Sequence, residues 1–298
     1  DVHGIVRHET FENKSIKFWR IKHLIEKITL HPVSLENYKN ISNTIQLIEP
    51  NEIYHLAARS YVSYIFKEES LTLNTNINST HYILSTIKEL NKKIKFYFAG
   101  SQEMFGKVKH SPQNENTPFY PRSAYGVSKV AGFELTRYYR ESYGLHASSG
   151  ILFTHESPRR GTEFVTRKIT QAAAKIKKGL QKDLLLGNIQ AKRDWGHAKD
   201  YVEAMWLMVQ QNSPEDYVVG TGTVHSVEEF AKIAFSVLDL NYENYIKIDK
   251  KLYRPTVVSN MMSDSSKIRN KLKWESKTNF ENLVSEMVIS DYNALKDN

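Results

Sequence analysis

Four side chains near the middle of the sequence have the types and the spacing for acid–base chemistry on a sugar. Ser101 and Glu103 follow the apolar run 96–99, and Tyr125 and Lys129 come 22 and 26 residues after Glu103. A hydroxyl, a carboxylate, a phenol and an ammonium in this order are the groups that a redox-assisted elimination on a sugar requires. The sequence therefore offers a candidate catalytic set before any fold is assigned.

The spacing of Tyr125 and Lys129 places both side chains on one face of a predicted helix. A phenol has a reference pKa of about 10, which is too high for a base near neutral pH, and a neighbouring ammonium lowers that pKa. This spacing alone is a weak signal, because a chain with 17 tyrosines shows it by chance. The position of Ser101 at the end of the preceding predicted strand strengthens the assignment.

Glu103 separates two kinds of chemistry. A simple oxidoreductase needs the serine hydroxyl and the phenol but no carboxylate at this position. An elimination needs a base for a carbon-bound proton, and a carboxylate in a dry pocket can serve. The alternative is a solvated glutamate at the start of a surface loop.

The composition is that of a globular protein without disulfides or membrane spans. The 298 residues are 40% hydrophobic and 25% charged, with no cysteine and no apolar run long enough to span a bilayer. Disulfide scaffolds and thiolate zinc sites are excluded, and we expect no membrane partner and a cytoplasmic location. The net charge of +8 is scattered, without a basic stripe interleaved with aromatic residues. We therefore expect an anionic small ligand and no nucleic acid.

Strand and helix patterns alternate through the first half of the sequence. Buried strands are predicted at 52–57, 95–99 and 149–153, with helices at 70–90 and 125–143. This alternation predicts an α/β fold, a Rossmann-like doubly wound parallel sheet with helices on both faces. Residues that follow the strands should converge on the carboxyl edge of the sheet, where ligands bind. They are Arg7, Ala57, Ala58, Ser101, Glu103 and the loop after Phe153.

After Phe153 the predicted loops lengthen and helices dominate, which indicates a smaller, mostly helical region over that edge. The segment 154–161 is polar and basic. His155 has no second histidine at ligand spacing, so a phosphate or cofactor contact is favoured and no metal site is expected. Further cations are individually explained by surface salt bridges but together suit a diphosphate. They are Arg159, Arg160, Arg167, Lys168, Arg193 and Arg254.

Three long runs carry a family resemblance: 116–123 (NTPFYPRS), 150–168 (GILFTHESPRRGTEFVTRK) and 186–207 (LGNIQAKRDWGHAKDYVEAMWL). They closely resemble the GDP-mannose 4,6-dehydratase family of the extended short-chain dehydrogenase/reductase superfamily. The resemblance implies a tightly held NADP, oxidation of the sugar C4 hydroxyl, loss of water across C5 and C6, and return of the hydride to C6. It also implies an NADP-binding Rossmann-like domain at 1–153. Residues 154–298 would then form mainly a sugar-nucleotide-binding cap, with some segments returning to the sheet.

The resemblance also implies individual roles. Tyr125 would take the C4 hydroxyl proton, and Lys129 would lower the pKa of Tyr125 and bind the cofactor ribose. Ser101 would polarise the C4 oxygen, while Glu103 would take the C5 proton and help water to leave C6. Other cofactor contacts are implied at Arg7, for the 2′-phosphate, and at Leu56, Ala57, Ala58, Arg59, Ser60, His155 and Arg160. Contacts with a GDP-sugar substrate are implied at Thr154, Val165, Lys168, Arg193 and Arg254. The family further implies a homo-oligomer, either a dimer or a tetramer.

Two departures from the family pattern bear on function. The family's fold opens with a strand, a glycine-rich turn and a helix that hold the cofactor pyrophosphate. None of these precedes Asp1, so we expect a partial chain that binds cofactor poorly by itself. Substitutions near ligand contacts leave GDP-manno-heptose open as an alternative to GDP-mannose. They lie at Ser34, Leu71, Thr154, Val257 and Ser259.

Two further functions stay open on the sequence alone. A sugar-nucleotide epimerase or reductase of the same superfamily would share the fold, but it would not need Glu103. A cofactor-free binding or regulatory protein would explain the missing glycine-rich turn, but it would not need the four candidate catalytic residues.

Overall fold

The computed structural model of the protein describes residues 1–7, 18–60, 68–90, 93–253 and 261–295. The chain folds as two compact units. The first unit consists of residues 1–104, 121–150 and 208–216, and the second of residues 105–120, 151–207 and 217–298. The sequence-based division at residue 153 stays a prediction about where the cofactor-binding part ends.

Parallel strands alternate with helices in the first unit, which confirms the predicted α/β class. In chain order the elements are β1 (His3–Val6), β2 (Thr29–Pro32), α1 (Tyr38–Ile48), β3 (Glu52–His55), α2 (Glu69–Leu90), β4 (Lys95–Ala99), α3 (Ala124–Tyr143) and the start of β5 (Ala147–Leu152). Strands β1 and β2 pair in parallel as a separate two-stranded sheet. Strands β3, β4 and β5 are parallel neighbours in a four-stranded sheet that ends with β9 (Asp216–Val219).

Strand β4 forms the centre of this unit. Phe96, Tyr97 and Phe98 are consecutive and all buried, which is the pattern of a strand covered on both faces. Helices α2 and α3 pack against each other. Helix α3 begins at a serine cap, Ser123, and ends at Gly144, whose positive φ of 67° stops the helix.

Two differences from the sequence-based prediction lie next to predicted ligand contacts. The strand predicted at 52–57 ends at His55, because the Leu56 amide turns back to the Tyr54 carbonyl oxygen at 3.1 Å. The start of the polar segment 154–161 is a strand and not a loop. Residues 154–156 form β6 because their backbone pairs in parallel with a strand much later in the sequence.

The second unit surrounds a separate apolar core. Its elements are β6 (Thr154–Glu156), α4 (Val165–Lys177), β7 (Leu184–Leu186), β8 (Lys192–His197), most of α5 (Ala198–Gln210), β10 (Val224–Ser226), α6 (Val227–Ser236), β11 (Ile246–Ile248), α7 (Ser266–Leu272) and α8 (Phe280–Ala294). Strand β8 lies between β6, its parallel partner, and β10, its antiparallel partner. The core includes Ile169 of α4, Phe230 of α6 and Leu283 of α8. None of the helices in the described ranges has the length and apolar character of a membrane span.

Candidate active site

The first part of the site is the turn that follows β4. Gln102–Met104 form one turn of 3-10 helix directly after Ser101. The Ser101 hydroxyl oxygen accepts a hydrogen bond from the Glu103 amide at 3.2 Å, and the Ser101 carbonyl oxygen accepts one from the Met104 amide at 3.0 Å. These bonds hold two half-buried groups, the Ser101 hydroxyl and the Glu103 carboxylate, within one turn at the carboxyl end of β4.

Helix α3 lies against this turn through Gly126. A Cβ atom at residue 126 would lie 2.6 Å from the Glu103 carbonyl oxygen and 3.1 Å from the Pro121 side chain. Only glycine permits this approach, because the nearest atom belongs to the backbone and cannot move aside as a flexible side chain does. The Ser123 hydroxyl accepts a hydrogen bond from the Gly126 amide at 3.0 Å and so caps the same turn. Tyr125, the residue before the contact, is thereby placed beside the Glu103 turn.

Lys129 lies one helical turn after Tyr125 and is buried, with 3% of its surface exposed. Its Nζ donates a hydrogen bond to the Ala99 carbonyl oxygen at 2.7 Å and lies 5.8 Å from the centre of the Tyr125 ring. Removal from water lowers the pKa of Lys129 to about 8. The amine is therefore mostly charged at neutral pH, and such a charge favours the anionic form of a neighbouring phenol.

The structure thus brings the four predicted catalytic side chains together within the first unit. Ser101 and Glu103 share one turn, Gly126 joins that turn to the helix of Tyr125, and Lys129 is bonded to the end of β4. The set combines a hydroxyl, a carboxylate, a phenol and a buried ammonium. Such a set can take a proton from an alcohol, stabilise the negative charge that results, and take a second proton from carbon with the carboxylate.

A buried polar network, which the sequence analysis does not anticipate, supports Tyr125. Asn76, in the middle of α2, donates a hydrogen bond to the Ser128 hydroxyl at 2.9 Å, and Ser128 donates one to the Tyr125 carbonyl oxygen at 2.8 Å. The Asn76 side-chain oxygen also accepts a hydrogen bond from the Arg59 amide at 2.9 Å. One asparagine therefore connects the loop after β3 to helix α3. The signal for this network is a row of polar residues on the buried face of α2: Thr72, Thr75, Asn76, Ser79 and Thr80.

His55 extends the network toward Lys129. Its Nε2 lies 3.2 Å from the Thr80 hydroxyl and 3.3 Å from the Ser79 hydroxyl. Burial, aided by the Lys129 charge, lowers the pKa of His55 to about 3. The imidazole is therefore neutral and adds no second positive charge next to the ammonium.

The predicted cofactor contacts of the first unit lie where β1 and β3 end. Arg7 follows β1 directly and is exposed. The second group follows β3 and consists of Leu56, Ala57, Ala58, Arg59 and Ser60. Leu56 is 53% exposed although it is large and apolar, and the Arg59 guanidinium pairs with Glu68. Apolar surface and a cation at the carboxyl ends of parallel strands fit a dinucleotide.

His155 lies on β6 in the second unit. A carbonyl oxygen can only accept, so the His155 Nδ1, 2.9 Å from the Phe153 oxygen, carries the proton. The ring stacks on Tyr201 with centres 4.7 Å apart, and loss of hydration lowers the pKa of His155 to about 4. The neutral ring leaves Nε2 able to accept a hydrogen bond. Within the described ranges, no cluster of three acidic or histidine side chains could hold a metal ion.

Glu156 and Arg160 form a charged pair close to His155 in the sequence. The Glu156 Oε2 lies 3.3 Å from the Arg160 Nε, and the guanidinium carbon lies 3.5 Å from the centre of the Phe164 ring. Burial raises the pKa of Glu156 to about 7, although the Arg160 charge and the Thr166 hydroxyl act in the opposite direction. Arg160 is among the predicted cofactor contacts, whereas Glu156 is not.

The other predicted substrate contacts lie on three elements of the second unit. Thr154 begins β6 and is half-buried, whereas Val165 and Lys168 are exposed on the same face of α4. Arg193 is partly exposed on β8, and Arg254 lies outside the described residues. Arg167, grouped by sequence with the cations suited to a diphosphate, is instead buried and paired with Asp291.

Comparison with known proteins assigns the whole chain to one protein family. The family model described as GDP-mannose 4,6 dehydratase matches residues 1–287. The chain belongs to the GDP-mannose 4,6-dehydratase family. GDP-mannose 4,6 dehydratase 1 of Arabidopsis thaliana is 45% identical over an alignment of 304 positions that covers 99% of this chain and 84% of that protein. GDP-mannose 4,6 dehydratase of Homo sapiens is 41% identical over an alignment of 325 positions that covers 100% of this chain and 86% of that protein.

Several solved structures of other proteins have the same fold as this member of the GDP-mannose 4,6-dehydratase family. UDP-glucose 4-epimerase from Thermotoga maritima, with UDP-glucose, has a TM-score of 0.84 at 20% identity and covers 99% of this chain and 100% of that chain. RMD from Pseudomonas aeruginosa, complexed with NADPH, has a TM-score of 0.83 at 20% identity with the same coverage. A dTDP-glucose 4,6-dehydratase from Bacillus anthracis, in complex with NAD, has a TM-score of 0.82 at 18% identity and covers 100% of this chain and 98% of that chain. These similarities establish the fold alone.

Asp194 has a structural role. It lies in the run 186–207, which carries part of the resemblance to GDP-mannose 4,6-dehydratases. Its buried carboxylate accepts hydrogen bonds from the amides and hydroxyls of Thr221 and Ser263 and from the Gly222 amide. These bonds fix β8, and with it the neighbouring Arg193, to the turn after β9. The role of Asp194 has no local signal in the sequence, because its partners lie 27 to 69 residues away.

Proposed function

We propose that the protein is a GDP-mannose 4,6-dehydratase, which converts GDP-mannose to GDP-4-keto-6-deoxymannose by internal hydride transfer and loss of water. One observation carries the proposal. A chain that is 41–45% identical to proteins named GDP-mannose 4,6-dehydratase holds Ser101, Glu103, Tyr125 and Lys129 around the end of a single strand.

The roles of these residues follow from their chemistry. Tyr125 takes the proton of the sugar C4 hydroxyl, and Ser101 donates a hydrogen bond to the C4 oxygen. The Lys129 ammonium stabilises the phenolate. Once C4 is a ketone, the neighbouring C5 proton becomes acidic and the Glu103 carboxylate removes it. The carboxylic acid then returns that proton to the C6 hydroxyl, which leaves as water. When the hydride is returned to C6, C5 takes up one proton, which the proton that Tyr125 took from the C4 hydroxyl balances.

NADP is the proposed cofactor, and when bound it supplies the acceptor and later the donor of the hydride. Arg7, exposed after β1, is suited to a 2′-phosphate, which favours NADP over NAD. Leu56, Ala57, Ala58, Arg59 and Ser60 offer the apolar and backbone contacts of the first unit. Lys129 would hold the ribose, and His155 Nε2 and the Arg160 guanidinium are further proposed contacts. RMD and the dTDP-glucose dehydratase support a nicotinamide nucleotide, because they were solved with NADPH and NAD.

The substrate contacts proposed are Thr154, Val165, Lys168, Arg193 and Arg254. We also propose a cytoplasmic homo-oligomer, a dimer or a tetramer, without a nucleic-acid partner. The family membership supports the oligomer, and the scattered positive charge supports an anionic small ligand.

Mass spectrometry of GDP-mannose incubated with the full-length protein and NADP tests the proposal. We expect the loss of one water, without net change in the NADPH absorbance, and no product from Tyr125→Phe. Water loss from GDP-manno-heptose but not from GDP-mannose would keep the mechanism and replace the substrate. An epimerised or reduced sugar without water loss would overturn the dehydratase assignment, and no reaction with either sugar would reject the function.

A further inference from the structure

We propose that Asp291, on α8, is a positioning residue for the cofactor loop, defined as residues 157–161, and that it acts through Arg167. The identity of the ligand rests on the proposed function, in which Arg160 contacts NADP. The contacts that carry the proposal all lie within the second unit.

The Arg167 guanidinium joins the cofactor loop to α8. Its Nη1 donates hydrogen bonds to the carbonyl oxygens of Pro158 and Arg160, the latter at 2.9 Å. On its other side, Nε lies 2.8 Å from Asp291 Oδ2 and 3.0 Å from Oδ1, and Nη2 lies 2.5 Å from Oδ1. This bidentate pair needs the planar fork of arginine, which the single ammonium of a lysine cannot reproduce.

The pair is buried, and the orientation of the carboxylate is fixed. Arg167 is 7% exposed and Asp291 is 4% exposed. The Thr170 hydroxyl donates a hydrogen bond to Asp291 Oδ2 at 2.6 Å. Asp291 therefore determines the orientation of the guanidinium, and the guanidinium determines where two carbonyl groups of the cofactor loop lie.

The position of those carbonyl groups controls the Arg160 side chain. The Arg160 guanidinium rests on the Phe164 ring and faces Glu156, while its own carbonyl oxygen is held by Arg167. The loop also contains local bonds, such as the one from the Arg160 amide to the Ser157 carbonyl oxygen at 2.9 Å. Local bonds shape the loop, whereas Arg167 attaches it to α4 and α8. Such attachment presents Arg160 in one orientation before a ligand arrives, which strengthens binding.

Three variants of the full-length protein test this inference. Asp291→Asn weakens the fork and leaves a buried arginine with reduced charge compensation. Arg167→Met combined with Asp291→Leu releases the cofactor loop without leaving an unpaired buried charge, and so protects the test against simple misfolding. Asp216→Asn is the matched control, since Asp216 pairs with the partly buried Arg140 at 2.6 Å in the first unit.

The measurements are the dissociation constant for NADPH, by fluorescence titration, and hydrogen exchange of the amides at 157–164. For both Asp291 variants we expect an increase of about 10-fold in the dissociation constant, because preorganisation of the loop is lost. Amide exchange in the loop should accelerate in both. Asp216→Asn should leave the dissociation constant and the loop exchange at the wild-type level, even if its melting temperature falls as much as those of the Asp291 variants.

The outcomes separate the two proposals. Unchanged exchange in the loop of both Asp291 variants, or equal weakening of NADPH binding by Asp216→Asn, would overturn the positioning role while leaving the proposed function intact. A further variant, Arg160→Ala, tests whether the loop affects binding at all. If it binds NADPH as tightly as the wild type, the positioning role is overturned even when the wild type dehydrates GDP-mannose. Failure of the wild type to bind NADPH at all would overturn the proposed cofactor, and the positioning role with it.

Discussion

In the proposed mechanism, the elimination depends on Glu103. Its carboxylate lies in the same turn as the Ser101 hydroxyl, and the Glu103 amide, which a glutamine would retain, donates a hydrogen bond to that hydroxyl. Glu103→Gln should therefore keep the fold and lower kcat for GDP-mannose by about 100- to 10,000-fold, because an amide cannot accept the C5 proton. Mass spectrometry of the product and thermal unfolding would measure both effects.

Glu134→Gln is the control for Glu103→Gln. Glu134 lies on α3 with its side chain 44% exposed, and it pairs with Arg137. Removal of that carboxylate should leave turnover unchanged. Equal turnover by Glu103→Gln and the wild type would remove Glu103 from the mechanism.

Glu156 makes stability depend on pH. Burial raises its pKa from 4.5 to about 7, so between these values the unfolded chain releases a proton that the folded chain retains. The stability contributed by the protonated group is present at low pH and lost as pH rises toward 7. Glu156→Gln should therefore gain up to about 3 kcal/mol relative to the wild type between pH 4.5 and 8.

Urea unfolding of both proteins at several pH values measures this gain. Glu134→Gln again provides the comparison, as a variant that removes an exposed carboxylate. A constant difference in the free energy of unfolding between Glu156→Gln and the wild type at all pH values would show that the Glu156 carboxyl is not perturbed.

At the scale of elements, the contact of α3 with the Glu103 turn sets the distance between the phenol and the carboxylate. Gly126→Ala would place a methyl group 2.6 Å from a backbone oxygen, so the helix or the turn must shift. We expect kcat to fall about 10- to 100-fold, since small displacements of catalytic groups are costly. Steady-state kinetics and thermal unfolding together measure the change.

Ser123→Ala isolates the steric part of the Gly126 effect. Loss of the cap weakens the same helix by about 1 kcal/mol but inserts nothing between α3 and the turn. Its kcat should stay close to that of the wild type. If Ser123→Ala lowers kcat as much as Gly126→Ala at similar stability, helix weakening rather than displacement explains both.

The sequence predicts those elements whose signals are local. The candidate catalytic residues fall between Ser101 and Lys129, on one strand end and one helix, so spacing and hydrophobic pattern were enough to group them. Strand β6 was missed because its residues are polar and its pairing with β8 is not local. Arg167 was misjudged as an accessible cation because its partner, Asp291, lies 124 residues away. Burial of polar groups by distant partners has no local pattern.

At the scale of the whole molecule, the two units carry different kinds of residues. The four candidate acid–base groups belong to the first unit, whereas most of the cations proposed to contact phosphates belong to the second. In the second unit, the positions of Arg160 and Arg193 depend on buried carboxylates, Asp291 and Asp194, that do not themselves face a ligand. Buried acidic residues therefore fix the positions of basic residues that are only partly exposed.

The net charge of +8 should make capture of the substrate depend on salt. A GDP-sugar carries a diphosphate, and a positive protein attracts it over distances that salt shortens. We expect kcat/KM for GDP-mannose to fall about 3- to 10-fold between roughly 0.02 and 0.3 M KCl, while kcat changes little, because proton transfers within the site are shielded from ions. Sucrose at matched osmolality should leave kcat/KM unchanged. A salt-independent kcat/KM would show that the scattered charge does not attract the substrate, and a parallel fall in kcat would indicate that salt disturbs the site itself.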